Sequence, residues 1–202
     1  WKQDEKMGGG GVIVDLGSHV IDLMRYLLGD FEHVFCKTKI LYPLRPDKNG
    51  NTVKITAEDE AHALVKMKNG ANGTMTFSKI ATGTNDELSF EIYGDRGALR
   101  YSLMDANYLY YFDNTQKEDV FGGERGFKRI ECVQRFAEPG GVFPSSKSSI
   151  GWLRGHVHCL YNFLNAVHEN KKCAPSFADG AYVNHITDLM YKSAKEEKIL
   201  HC

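Results

Sequence analysis

Helical periodicity occurs only at the two ends of this chain, and everything between reads as strands. The order is a helix, a block of six or more strands, then two helices, with no βαβ alternation. It predicts an α+β fold: a largely antiparallel open sheet of six or more strands with helices packed on one face. The opening helix is placed at about 11–28, stopped by Gly29, a residue that tolerates positive φ. Phe31 to Leu44 reads as a long strand, and 45–60 as a polar excursion. Asn69-Gly70 then turns a hairpin, with Ala63, Val65 and Met67 alternating on one side and Met75 and Phe77 on the other. Strands at 88–93 and 98–103 flank Gly94-Asp95-Arg96-Gly97, which is turn chemistry. Tyr108 to Phe112 and 127–133 supply two more strands. Residues 113–126 and 138–151 read as loops, the second as a mobile one. Helices at about 155–169 and 179–197 close the chain, with 198–202 as a final short strand.

At 202 residues the chain can bury a real core, and one domain is the better prior than two. A formal net charge of −1 gives no electrostatic reason to propose nucleic acid or an anionic membrane as partner. No apolar run approaches the ~18 residues that span a bilayer, and no signal peptide is visible, so a cytoplasmic location is expected. The five cysteines (36, 132, 159, 173 and 202) are odd in number and lack CxxC spacing, which favours reduced thiols over disulfides or a zinc site. The run Gly8 to Gly11 follows no strand and is not a dinucleotide fingerprint. The first residue is Trp1, so function is expected to be shared with sequence outside this chain.

Candidate chemistry concentrates on the opening helix. Asp15, His19 and Asp22 fall at i, i+4 and i+7 on one stripe, extended by Tyr26. Ile13, Leu16, Val20, Leu23 and Leu27 form an apolar stripe roughly 100–160° away, and the helix is otherwise so apolar that it must be mostly buried. Its one polar stripe lines either a solvent edge or a cleft, and a cleft holding Asp beside His can move protons. The plainer readings are a surface histidine and an Asp that caps the helix start. A second cluster, Arg154, His156 and His158, begins the first closing helix. Two histidines two residues apart point about 200° apart, so a metal site there is disfavoured. Arg154 or His156 lining a substrate cleft stays open. Tyr108, Leu109, Tyr110, Tyr111 and Phe112 put large apolar area on an uncovered sheet face, which predicts a homo-oligomer, a dimer or larger.

The segment GGGGVIVDLGSHVIDLMRYLLGD resembles the signature of the glucose–fructose oxidoreductase, inositol dehydrogenase and rhizopine-catabolism (Gfo/Idh/MocA) family, with Asp15, Gly17, His19 and Asp22 in the register D-x-G-x-H-x-x-D. Glu91 to Leu99 resembles the family's strand–turn–strand element. Pro175-Ser176-Phe177-Ala178-Asp179-Gly180, with Ser193-Ala194 further on, resembles its closing segment. The resemblance implies the C-terminal substrate-binding and oligomerisation domain, over 1–202, of a two-domain NAD(P)-dependent oxidoreductase acting on a sugar, polyol or related hydroxyl compound. NAD or NADP would bind mainly on an N-terminal Rossmann domain that this chain lacks, and the family's E-K-P lysine would lie there too; Lys6 in Glu5-Lys6-Met7 is not its equivalent. On the same resemblance His19 exchanges a proton with the substrate hydroxyl, Asp15 orients it or bonds the substrate, and Asp22, Arg154 and His156 contribute to substrate binding. No cofactor or metal is expected on this chain alone, and the isolated chain is expected to be inactive. The rival reading is a non-catalytic binding or assembly domain with the same fold.

Overall fold

The computed structural model describes residues 3–202; Trp1 lies outside them. In chain order the elements are α1 (Glu5–Gly8), a π-helical turn (Ile13–Gly17), α2 (Ser18–Leu28), β1 (Phe31–Lys39), β2 (Leu44–Pro46), β3 (Thr52–Lys54), β4 (Glu60–Met67) and β5 (Asn72–Ser78). They continue as β6 (Ser89–Tyr93), β7 (Gly97–Ser102), β8 (Tyr108–Asp113), β9 (Lys128–Glu131), α3 (Trp152–His168), α4 (Phe177–Glu196) and β10 (Leu200–His201). The fold is α+β with antiparallel pairing throughout, as the order of elements predicts. The strands divide into a four-stranded sheet β10-β1-β4-β5, a β2-β3 hairpin and a second four-stranded sheet β6-β7-β8-β9. Two compact units result: residues up to Thr82 with Pro175–Cys202, and Gly83–Ala174.

In the first unit α2, the π turn and α4 cover one face of the sheet. Ala61, Ala63 and Met67 of β4 and Met75 and Phe77 of β5 point into this core, while His62, Thr74 and Thr76 point out. Ile13, Ile21, Phe31, Met67, Ile186 and Met190 are essentially fully buried, each a contribution of about 1.5–3 kcal/mol. Polar ties fix the layers. Arg25 bonds Asp30 (3.0 Å) and Asp179 (2.7 Å) and stacks over Tyr182 at 4.1 Å, joining α2 to the start of α4. Asp179 also completes a capping box with Ser176, and those bonds hold its carboxyl below the usual range. The fully buried Ser193 hydroxyl accepts from the Cys36 amide at 2.9 Å and donates to the Lys198 carbonyl at 2.6 Å, tying α4 to β1 and to the chain leading into β10.

The second unit is organised around β6-β7-β8-β9. Register places Phe90, Ile92, Leu99, Leu109, Tyr111 and Ile130 on one face and Tyr108, Tyr110, Phe112 and Arg129 on the other. The expectation that residues 108–112 share a face is therefore corrected, because successive strand residues alternate. The Tyr108 side is a ladder of cations on rings: the Arg129 guanidinium lies 3.4 Å from the Tyr108 centroid, and Arg100 lies 4.1 Å from that of Phe127.

Several sequence boundaries move. The long strand from Phe31 ends at Lys39, and Leu44 belongs to the small hairpin instead. The stretch 45–60 is not simply polar surface, since Ile55, Ala57, Glu58 and Asp59 are buried. The stretch 138–151 is anchored: Gly140 and Gly141 are buried, and Arg154 bonds the carbonyls of Phe143 and Ser145.

Candidate functional site

The site begins with how the chain enters α2. Gly11 passes beneath Glu58, and the Val12 amide donates to the Glu58 backbone carbonyl at 3.0 Å. The Ile13 amide donates to Glu58 Oε1 at 3.0 Å, and the Tyr191 hydroxyl donates to the same oxygen at 2.7 Å while accepting from the Gly11 amide at 3.1 Å. Glu58 is only 8% exposed, so these bonds satisfy a carboxylate that would otherwise be costly to bury. Burial, then the bond to Glu58, pushes the Tyr191 phenol far above its ordinary range. The glycine run thus serves a close approach to Glu58 and Tyr191. It forms no phosphate cradle, and this chain's residues do not fit a dinucleotide there.

From Ile13 the backbone makes one π turn before continuing as α2, where the sequence reading had a single α-helix from about residue 11. Such turns insert an extra residue and often mark functional positions. Gly17, the last residue of the turn, lies on the Phe77 ring; a β-carbon there would stand 3.3 Å from Phe77 Cδ2. That packing sets the turn against the end of β5. Lys79, just beyond β5, then reaches Asp15 with Nζ 3.0 Å from Oδ2, both side chains about three-quarters buried.

A cavity of about 300 Å³ opens beside this pair, lined by Gln3, Asp15, Leu16, Arg45, Ala57, Glu58, Asp59 and Lys79. Its charges come largely as pairs. Asp15 meets Lys79, and the buried Asp59 meets Arg45 Nη2 at 2.6 Å while accepting from the Leu41 and Tyr42 amides. The Lys79 amide donates to the Asp59 carbonyl at 2.9 Å, so the two pairs are built on facing strand ends. A wall of this kind offers both donors and acceptors with little excess charge, which suits a neutral polyhydroxylated molecule better than an anion.

Asp15 and Asp22 are half-buried, and His19 and Tyr26 are exposed. The His19 imidazole makes no hydrogen bond or ion pair with another described residue, so it is available to a ligand. Arg154 and His156 belong to the other compact unit. Arg154 is 2% exposed, and its Nε, Nη1 and Nη2 donate to the carbonyls of Phe143 (3.0 Å), Val133 (3.1 Å) and Ser145 (2.7 Å). Its observed work is to hold the 133–145 segment against the start of α3. His156 is exposed and packs edge-on to Trp152, with ring centroids 5.1 Å apart.

The sequence reading missed Arg45, Glu58, Asp59 and Lys79. A signal existed for two of them. Period-2 alternation carried back from Ala63 and Ala61 puts Asp59 on the inward face, and carried on from Met75 and Phe77 it puts Lys79 there. Two inward charges at paired strand ends are unusual enough to mark a site.

Residues 1–201 match the C-terminal alpha/beta domain of the Gfo/Idh/MocA oxidoreductase family, and the chain belongs to that family. It is similar to levoglucosan dehydrogenase of Pseudarthrobacter phenanthrenivorans, 28% identical over 210 residues that cover 98% of this chain and 53% of that protein. It is also 33% identical over 94 residues to D-apiose dehydrogenase of Rhizobium rhizogenes, covering 45% of this chain and 24% of that protein. Among solved structures, levoglucosan dehydrogenase in complex with NADH and levoglucosan superposes with a TM-score of 0.90 at 28% identity, over all of this chain and 53% of that one. An oxidoreductase domain protein from Kribbella flavida superposes at 0.89 with 27% identity, over all of this chain and 52% of that one. The chain spans about half the length of these relatives. No described helix is long and apolar enough to cross a membrane.

Proposed function

We propose that this chain is the substrate-binding domain of an NAD(P)-dependent oxidoreductase acting on a neutral sugar or polyol, with His19 and Asp15 as its proton-transfer groups. The observation that carries the reading is the exposed His19 imidazole one turn from Asp15, beside a cavity whose charges are largely paired. An imidazole can take a proton from a substrate hydroxyl, or return it, when it lies within hydrogen-bond reach. Asp15 orients the imidazole or the hydroxyl, and Asp22, one turn further along α2, bonds a second substrate hydroxyl. His156 remains a candidate substrate contact. Arg154 contributes by holding the 133–145 segment.

The nicotinamide cofactor belongs to the full-length enzyme and is bound mainly by residues outside this chain, which alone is inactive. The named relatives support the substrate class, since one is a levoglucosan dehydrogenase and another a D-apiose dehydrogenase. The protein works in the cytoplasm as a homo-oligomer, a dimer or larger, joined through an exposed sheet face of the second unit. The test is absorbance at 340 nm with the full-length protein, NAD or NADP, and a panel of levoglucosan, L-sorbose, D-apiose and myo-inositol set against sugar acids. Turnover of a neutral compound is expected. Turnover of none, with no ligand raising the melting temperature, overturns the reading in favour of a non-catalytic binding domain.

A further inference from the structure

The helix α3 turns its apolar side away from the unit it belongs to. Its 17 residues include no Asp, Glu or Lys, and its one arginine is the buried Arg154. The side that meets its own unit carries Arg154, bonded to three carbonyls, and His158, which lies against Gly140. At about 100° per residue, Leu153, Phe163, Leu164 and Val167 all fall within about 60° of Leu160, while Arg154 and His158 lie roughly 120–160° round from it. Each of those five apolar side chains is more than half exposed, from 51% at Leu153 to 64% at Val167. A helix so poor in charge is ordinarily covered, and single chains seldom leave contiguous apolar patches beyond a few hundred Å².

We propose that α3 docks on α3 of a second copy of this chain, antiparallel, about a two-fold axis at Leu160. The spacing of the stripe fits that occupant. Reversing the helix about Leu160 exchanges Leu153 with Val167 and Val157 with Phe163, so apolar side chains meet apolar ones and Leu160 meets itself. This is the self-complementarity that a two-fold contact demands. Charge fits as well. No charged side chain lies on the stripe, so the axis brings no like charges together. The area is of the right order: the five side chains and Trp152 leave roughly 600 Å² per copy to be covered, near the ~800 Å² per partner of a stable interface. The contact is separate from the sheet face and does not depend on the proton-transfer reading.

Sedimentation velocity of this 202-residue chain at rising concentration should show a dimer or larger assembly. Leu160→Glu sets two carboxylates face to face on the axis and should weaken the α3 contact about 100-fold or more. It should halve the assembly: to a monomer where α3 makes the contact alone, to a dimer where the sheet face also pairs. Asn162→Glu, exposed on the other side of the same helix, should leave the assembly unchanged. The axis is located separately. In a Cys159→Ser background, Leu160→Cys should cross-link two copies through a disulfide under mild oxidation, and Asn162→Cys should not. Circular dichroism checks each fold, and if Leu160→Glu does not fold, the cross-link at Leu160→Cys decides alone. A native chain that stays monomeric overturns the proposal. So does an assembly whose size Leu160→Glu leaves unchanged and that Leu160→Cys fails to cross-link, because the copies then meet through another face.

Discussion

Gly11 runs so close to Glu58 that a β-carbon on it would sit 2.2 Å from the Glu58 carbonyl oxygen and 2.5 Å from a carboxylate oxygen. The first contact is with backbone, which cannot swing aside. Gly11→Ala should therefore push the segment off Glu58, break the bonds to Val12 and Ile13, and cost about 3 kcal/mol or more. Urea unfolding of the variant checks this, and a loss under about 0.5 kcal/mol would mean that the segment relaxes freely.

The buried Ser193 hydroxyl serves two backbone groups at once, the Cys36 amide and the Lys198 carbonyl. Ser193→Ala should leave both unpaired in the core and cost about 1–3 kcal/mol. Amide exchange at Cys36 should speed up along with the global loss. An exchange rate at Cys36 unchanged from the native chain would show that another acceptor takes over.

Arg154→Lys should fail to rescue Arg154→Met. One ammonium on a flexible stem cannot reproduce three guanidinium nitrogens aimed at the carbonyls of Val133, Phe143 and Ser145. Both variants should expose 133–148 to limited proteolysis while the first unit stays protected. Full protection of that segment in Arg154→Lys would show that a single cation suffices.

The order of elements and the apolar alternation were enough to read the fold class, the hairpin at Asn69-Gly70 and the closing helices. Each depends on local periodicity, which a chain carries in its own residues. The π turn was not legible, because an extra residue in a helix changes no composition and its cause, Gly17 against Phe77, is a contact across sixty residues of chain. Arg154 looked like a ligand because a charged residue at the start of a helix is ordinarily exposed; its burial comes from the carbonyls of a loop that no periodicity describes. The run Glu58-Asp59-Glu60 looked solvated for the same reason, since the partners that satisfy Glu58 and Asp59 lie on the π turn, α4 and the β2 hairpin.

Stability should fall as pH rises through the alkaline range. Burial, and then the charge of Glu58, pushes the Cys36 thiol up to about 11 from 9.0, and burial pushes Cys202 to about 11. Between pH 9 and 11 the folded chain holds protons that the unfolded chain has released. The stabilisation is thus complete below the unfolded value near 9 and is lost as pH climbs towards 11. Melting temperature followed from pH 7 to 11 should drop beyond about pH 9, and less steeply in Cys36→Ala than in the native chain. Equal slopes would remove Cys36 as a contributor. Iodoacetamide at pH 8 should label the exposed Cys159 and spare Cys36 in the folded state.

Removing a proton and a hydride from one carbinol needs a base within about 2.6–3.2 Å of the hydroxyl. On the reading proposed here that base is the exposed His19 imidazole, which makes no hydrogen bond or ion pair with another described residue, with Asp15 on the turn before it. His19→Ala in the full-length enzyme should then lower kcat by about 10²-fold or more, the scale usual for an acid–base residue. Asp15→Asn should do less harm, because the amide keeps the shape of the carboxylate and loses mainly its charge. Asp22→Asn should act chiefly on KM, since its proposed bond is to a hydroxyl that does not react. On the proposed reading, in which the cofactor is bound mainly outside this chain, cofactor affinity should hardly change in any of the three. Stopped-flow and steady-state measurements across pH 5–10, with the sugar that the panel identifies, separate these cases. Near-normal kcat in His19→Ala would make the histidine structural and move the base to a residue outside this chain.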